Sequence, residues 1–234
     1  MNMQEDILVA PEDIARSQQR FIVKVYGWMA AALALTGLVA MYTASSEAMV
    51  NFIVLNRPVF FGLIIGELLL VGSLVGFVRK MSGTTATAIF LLYSIINGLT
   101  LSVIFLVYTA GSIASTFFIT GGIFAIMSAY GYFTGNDLTR FGSLLIMLLI
   151  GLVIASLVNI FMQNETIYWI TTYAGVFIFT GLIAYDTQKL KELNMVGMEG
   201  TDEERKGAVI GALSLYLDFI NLFIMLLRIF GRRR

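Results

Sequence analysis

The sequence predicts an all-α, polytopic membrane protein built as a bundle of seven transmembrane helices. Three observations carry that reading. Of the 234 residues, 58% are hydrophobic and only 13% are charged. The apolar residues run on without polar faces between them, as spans do and amphipathic surface helices do not. The runs come in lengths of 19 to 23 residues, which a helix needs to cross a hydrocarbon core about 30 Å thick.

Met1 to Arg20 mixes acidic and basic residues. The apolar run behind it is too long for a signal-peptide core and lacks an obvious cleavage site, so residues 1–20 are expected to be a retained cytoplasmic tail. The seven segments are Val25 to Thr43, Pro58 to Val78, Ala86 to Tyr108, Ile113 to Phe133, Phe141 to Met162, Ile167 to Asp186 and Gly207 to Leu227. Met81 to Asn136 carries no charge yet is too long for one helix, and the small polar turn at Thr109, Ala110, Gly111 and Ser112 divides it. No soluble domain of useful size remains. Residues 21–231 read as one membrane domain and 232–234 as a basic C-terminal tail.

Orientation follows from the basic residues. Seven spans with the N-terminus inside place Arg16, Arg20, Lys24, Arg79, Lys80, Arg140, Lys189, Lys191, Arg205 and Lys206 in the cytoplasm. Arg57 and the C-terminal arginines then fall outside. Those arginines would suit the cytoplasm better, which six spans plus a re-entrant last segment would allow; the length of the last segment favours seven. Gly151, Ala155 and Asn159, and Gly131 with Gly135, sit at small-xxx-small spacing and are expected to be tight helix contacts.

The chain has no His and no Cys. That removes a His-bearing triad, the usual zinc sites, His- or Cys-held haem, disulfides and thiol redox motifs. Carboxylate, amide, hydroxyl, Tyr, Lys and Arg remain, an inventory suited to protons and hard cations such as calcium. No cofactor is expected. An enzyme is not expected either, since no nucleophile with its base is recognisable. Zero net charge gives no reason to expect a nucleic-acid partner. No inverted repeat is visible, which counts against a secondary transporter.

Three acids remain inside the spans. Asp218 lies near the middle of the last segment, roughly 15 Å by helical rise from the flanking Lys206 and Arg228. A charge at that depth costs several kcal/mol unless paired, protonated or wet, and marks an ion or proton path by default. Gly211, Ser214, Asp218 and Asn221 form one narrow polar stripe. The competing account is a neutral carboxyl that glues helices together. Asp186 closes the sixth segment, with Lys189 three residues on as a possible counter-cation. Glu67 lies halfway along the second segment. It meets either the Asp218 face or a partner such as Asn97 or Asn159, and Tyr93, Ser94, Asn97 and Thr100 line one side of the third segment.

The string from Ser214 to Phe223, followed by Leu226-Leu227-Arg228-Ile229-Phe230-Gly231, resembles the last helix of the Bax inhibitor family, the transmembrane Bax inhibitor motif proteins. Ala184-Tyr185-Asp186-Thr187-Gln188 and Asn97-Gly98-Leu99-Thr100-Leu101 resemble two further marks of it. The resemblance implies a bundle whose last helix is central and wrapped by six others. It also implies a pH-dependent calcium leak in a bacterial inner membrane. Asp186 and Asp218 match the family's pH-sensing pair, and by that match they are the candidate calcium ligands. Arg79, or the adjacent Lys80, matches a basic latch, while Glu67, Asn97 and Asn221 are candidates for the ion path. Two carboxylates in hydrogen-bonding reach of one another in a low-dielectric site cannot easily both ionise, which suits a proton-operated switch. The depths agree only if the sixth helix runs on past Asp186 through Lys191 and the bundle is tilted or its last helix shifted. The alternative function is a non-transporting regulator that presents its N-terminal tail to a membrane protease or another membrane protein.

Overall fold

The computed structural model describes residues 11–193 and 198–234. Seven helices are long and apolar enough to cross a membrane. They are α1 (Pro11–Ser45), α2 (Arg57–Phe77), α3 (Gly83–Val107), α4 (Ala110–Phe133), α5 (Thr139–Met162), α6 (Glu165–Glu192) and α7 (Asp202–Phe230). A short helix, Glu47–Met49, and a wide π-turn, Val50–Val54, join α1 to α2. Among the described residues no strand forms.

The caps are written in the sequence. Asn56, Ser82, Thr109, Asn164 and Thr201 each place a side-chain oxygen on a backbone N–H of the first turn of the helix that follows, which answers donors that a helix start leaves open. Between α5 and α6 the chain turns at Gln163, whose φ of 50° is left-handed. There Asn159 accepts the Asn164 N–H at 2.9 Å, so Asn159 closes a turn and is not the partner of Glu67.

Two helices depart from their expected bounds. α1 begins at Pro11, so the latter half of the supposed tail is helical, while residues 1–10 lie outside the described residues. Phe21 and Ser17 on that extension are buried, and Arg20 reaches Glu199 at 3.1 Å. α6 runs six residues past Asp186. Lys189 and Lys191 end the apolar run but not the helix, because lysine is a good helix former.

α7 is the most buried of the seven: 72% of its most apolar window is buried, against 6% for α2. Its main contacts are with α1, α3, α4 and α6; α2 packs chiefly on α3, and α5 on α6. Four helices therefore make the principal contacts around the last one, rather than the six implied by the resemblance. One apolar cluster joins α7 to α1 and α3 through Phe21, Val25, Phe90, Leu213 and Tyr216. A second joins it to α5 and α6 through Leu145, Ile178, Leu182, Leu222 and Leu226. Lipid tails are as apolar as leucine, so close approach and polar links must hold such helices together. Gly131 rests on the Ala184 backbone and Gly211 on Leu190, and a Cβ at either would collide. Gly151 and Gly135 face open space instead, so the small residues of the fifth segment do not mark an interface there.

Lys24 donates to buried Glu204 at 2.7 Å, Asp202 accepts the Gly83 N–H at 2.7 Å, and Arg205 reaches Thr84. These contacts gather the basic loops at one end. At the other end the last residues run beside the turn between α3 and α4, where the Thr109 N–H donates to the Arg232 carbonyl and the Arg234 N–H to that of Val107, both at 3.0 Å. α7 is unbroken, and its last turn lies at the end of the bundle opposite the contact of Lys24 with Glu204.

Candidate functional site

The polar stripe of α7 faces the hollows of the bundle. Near the basic loops, Arg79, Asp186, Lys189, Lys206, Gly211 and Ser214 help line a vestibule of about 420 Å³. Asp186, Lys189 and Ser214 also line a mid-depth crevice of about 700 Å³, together with Glu67, Asp218 and Asn221. The two hollows meet at these shared residues. One turn beyond Met225, which closes the crevice on α7, a third hollow of about 480 Å³ opens among Asn159, Tyr168, Trp169, Arg228 and Arg233.

Asp186 and Ser214 hold the junction. The Ser214 hydroxyl donates to Asp186 Oδ2 across the contact between α6 and α7. Asp186 meets α7 at Ser214, one turn before Asp218, and α6 runs on past it through Lys191. Asp218 is buried, and its Oδ2 has no hydrogen-bond partner. An unanswered buried oxygen is costly and rare. Lys189 packs its ammonium over the Tyr185 ring at 5.9 Å, and among the described residues it makes no close ion pair with Asp186.

The other candidates separate by position. Arg79 lines the vestibule beside Asp186, whereas Lys80 does not. Among the described residues neither forms a salt bridge. Asn221 lines the crevice but donates to the Leu217 carbonyl of its own helix at 2.8 Å. Glu67 stands on the α2 side of the crevice and is held by α3: Thr100 donates to Oε1 at 2.7 Å and the Asn97 amide to Oε2 at 3.3 Å. Among the described residues no group of three or more acidic side chains could hold a metal ion.

Ser214 is the residue whose role the sequence leaves unstated, since it appears there only as one member of a stripe. Tyr216 and Thr36 are missed altogether. The Tyr216 hydroxyl reaches Asn97 Oδ1 at 2.9 Å and Thr36 at 2.7 Å. The one available signal was that a buried tyrosine hydroxyl finds a partner.

A seven-helix membrane protein with polar hollows along its last long helix is the class that this geometry defines. The model of the family described as "Inhibitor of apoptosis-promoting Bax1" matches residues 18–234, and the chain belongs to that family. It is 52% identical over 217 residues to the inner membrane protein YbhL of Escherichia coli (strain K12), covering 92% of this chain and 93% of that protein. The uncharacterized protein RP147 of Rickettsia prowazekii (strain Madrid E) is 44% identical over 219 residues, 92% of this chain and 91% of its own. An uncharacterized membrane protein of Streptococcus pyogenes serotype M6 is 36% identical over 234 residues, 98% and 99% of the two chains.

Proposed function

We propose that the chain is a pH-dependent calcium leak channel of a bacterial inner membrane, gated by Asp186 and Asp218 sharing a proton. The observation that carries the reading is the run of hollows along α7, with Asp186 where vestibule and crevice meet and Asp218 in the crevice. The name of the Escherichia coli relative supports the location. The crowd of basic residues at one end supports a cytoplasmic N-terminus.

A single proton between the two carboxylates, with Ser214 donating to Asp186, leaves the pair content without a cation. Loss of that proton leaves two repelling anions, which draw Arg79 in from the vestibule and close the path. Acid returns the proton, releases Arg79 and opens it. Two carboxylates, a hydroxyl and an amide fall short of the six to eight oxygens calcium takes in a resident site. They suit an ion that is handed onward.

Calcium flux into proteoliposomes across pH tests the reading with the native chain and Asp218→Asn. The native chain should leak more in acid, and the variant should lose that dependence. An unchanged pH profile in the variant removes the gate. The regulator reading has its own test in deletion of residues 1–10: a leak channel keeps its flux, whereas a tail-dependent regulator loses its membrane partner.

A further inference from the structure

Opposite the aspartates, side chains from four helices are joined end to end. Glu67 of α2 meets the Asn97 amide of α3, whose far end meets the Tyr216 hydroxyl of α7, which meets the Thr36 hydroxyl of α1. Thr36 in turn lies 2.9 Å from the Ser94 carbonyl oxygen. Each hydroxyl has one proton to give, and the amide has an N–H end and an oxygen end.

The chain can be read from its fixed terminus. The Ser94 carbonyl only accepts, so Thr36 gives it its proton. Thr36 must then accept from Tyr216, and Tyr216 from Asn97. The amide therefore turns its NH2 to Tyr216 and its oxygen to Glu67, and that oxygen is answered only if Glu67 carries a proton. With the NH2 turned to Glu67, the orientation described for the site above, a carboxylate is satisfied and Tyr216 donates to Asn97 Oδ1. The single proton of Thr36 is then wanted by both Tyr216, at 2.7 Å, and the Ser94 carbonyl. One contact is left between lone pairs, a cost that a buried site does not hide. The two ends of an amide have the same outline, so the count of protons selects the orientation.

The charges around Glu67 point the same way. Tyr93 of α3 and Tyr216 of α7 face it, and Asp186, Lys189 and Asp218 line the crevice that it shares with α6 and α7. The crevice lining from α5 is uncharged. Arg57 and Arg79 flank α2 at 10 and 12 residues' distance, some 15 to 18 Å by helical rise. Among the described residues no Lys or Arg pairs with Glu67, and an uncompensated anion at mid-depth is strongly disfavoured.

We infer that Glu67 is a proton-binding site separate from the aspartates, and that its proton sets the direction of a hydrogen-bond chain tying α2 and α3 to α7 and α1. The inference stands whether or not the crevice conducts ions. With the proton bound, each contact along the chain pairs one donor with one acceptor, and α2, the least buried helix, is fastened to α3 through Glu67. Without it the amide reverses, and the unmet contact falls at the Thr36 end, where α1 joins α7 and α3.

Infrared difference spectra of the full chain in lipid vesicles at neutral pH test this. A carbonyl band of a protonated carboxyl should be present in the native chain, absent from Glu67→Gln and retained in the Asp186→Asn, Asp218→Asn double variant. Isotopic labelling of glutamate carboxyls in the unmutated chain should shift the same band, so the test does not depend on a variant folding. Thermal melting gives a second readout: Glu67→Gln, whose amide supplies the missing donor, should match the native chain at neutral pH. At alkaline pH the variant should hold its melting temperature where the native chain loses it. Absence of a protonated glutamate band at neutral pH overturns the inference, as does a melting profile in which Glu67→Gln follows the native chain through the alkaline range.

Discussion

The crevice has two polar walls that are built differently. On the α3 side, Glu67, Asn97, Thr100, Tyr216 and Thr36 form a network in which each polar side chain has at least one partner. On the α6 and α7 side, Ser214 answers Asp186, but Asp218 keeps an oxygen that nothing meets. A fully bonded buried network rigidifies, whereas an unanswered carboxyl is free to take a proton or an ion. The first wall is suited to holding helices, and the second to changing state.

Substitutions should separate the walls. Tyr216→Phe removes the link between Asn97 and Thr36 and should cost about 1–3 kcal/mol, read as a lower melting temperature in detergent with the pH response of flux kept. A pH response that vanished with that hydroxyl would merge the two walls into one device. Asp218→Asn should do the reverse, leaving stability within about 1 kcal/mol or raising it, because a buried unpaired acid is replaced by a neutral amide, while the pH response disappears. Ser214→Ala takes away the hydroxyl that donates to Asp186, so under the proposed function the pH midpoint of flux should move. A midpoint that stayed in place would detach Ser214 from the gate.

The smallest effect lies outside the membrane. Asp137 accepts the Thr139 N–H at 2.8 Å, and the Thr139 hydroxyl and backbone N–H hold its carboxyl below the usual aspartate range. Its contribution is present above the unfolded pKa and fades as pH falls through the lower folded value. Asp137→Asn should therefore lower the melting temperature slightly at neutral pH and not at all in strong acid. A loss that persists in acid would assign the effect to geometry instead of charge.

The spans and the stripe of α7 were legible because hydrocarbon thickness and helical period both act within one segment. Ser214, Asp218 and Asn221 could be placed on one face from spacing alone. The continuation of α6 through Lys191 was legible only as a condition, since charge ends an apolar run without ending a helix. Gly151 misled, because spacing shows that small residues are aligned and not what they face. The partnership of Tyr216 with Thr36 and Asn97 depends on the register of three helices at once, and no single segment carries that information.

The most enclosed helix is also the seventh in order along the chain. Because α7 follows the other six spans, Glu204, Tyr216 and Asp218 meet their surroundings only once those helices have been made. Until then α1, α3, α4 and α6 lack the surface on which they close. A chain without α7 would keep six apolar spans but lose the buried face that they share, leaving Phe21, Val25 and Phe90 without Leu213 and Tyr216 to pack on.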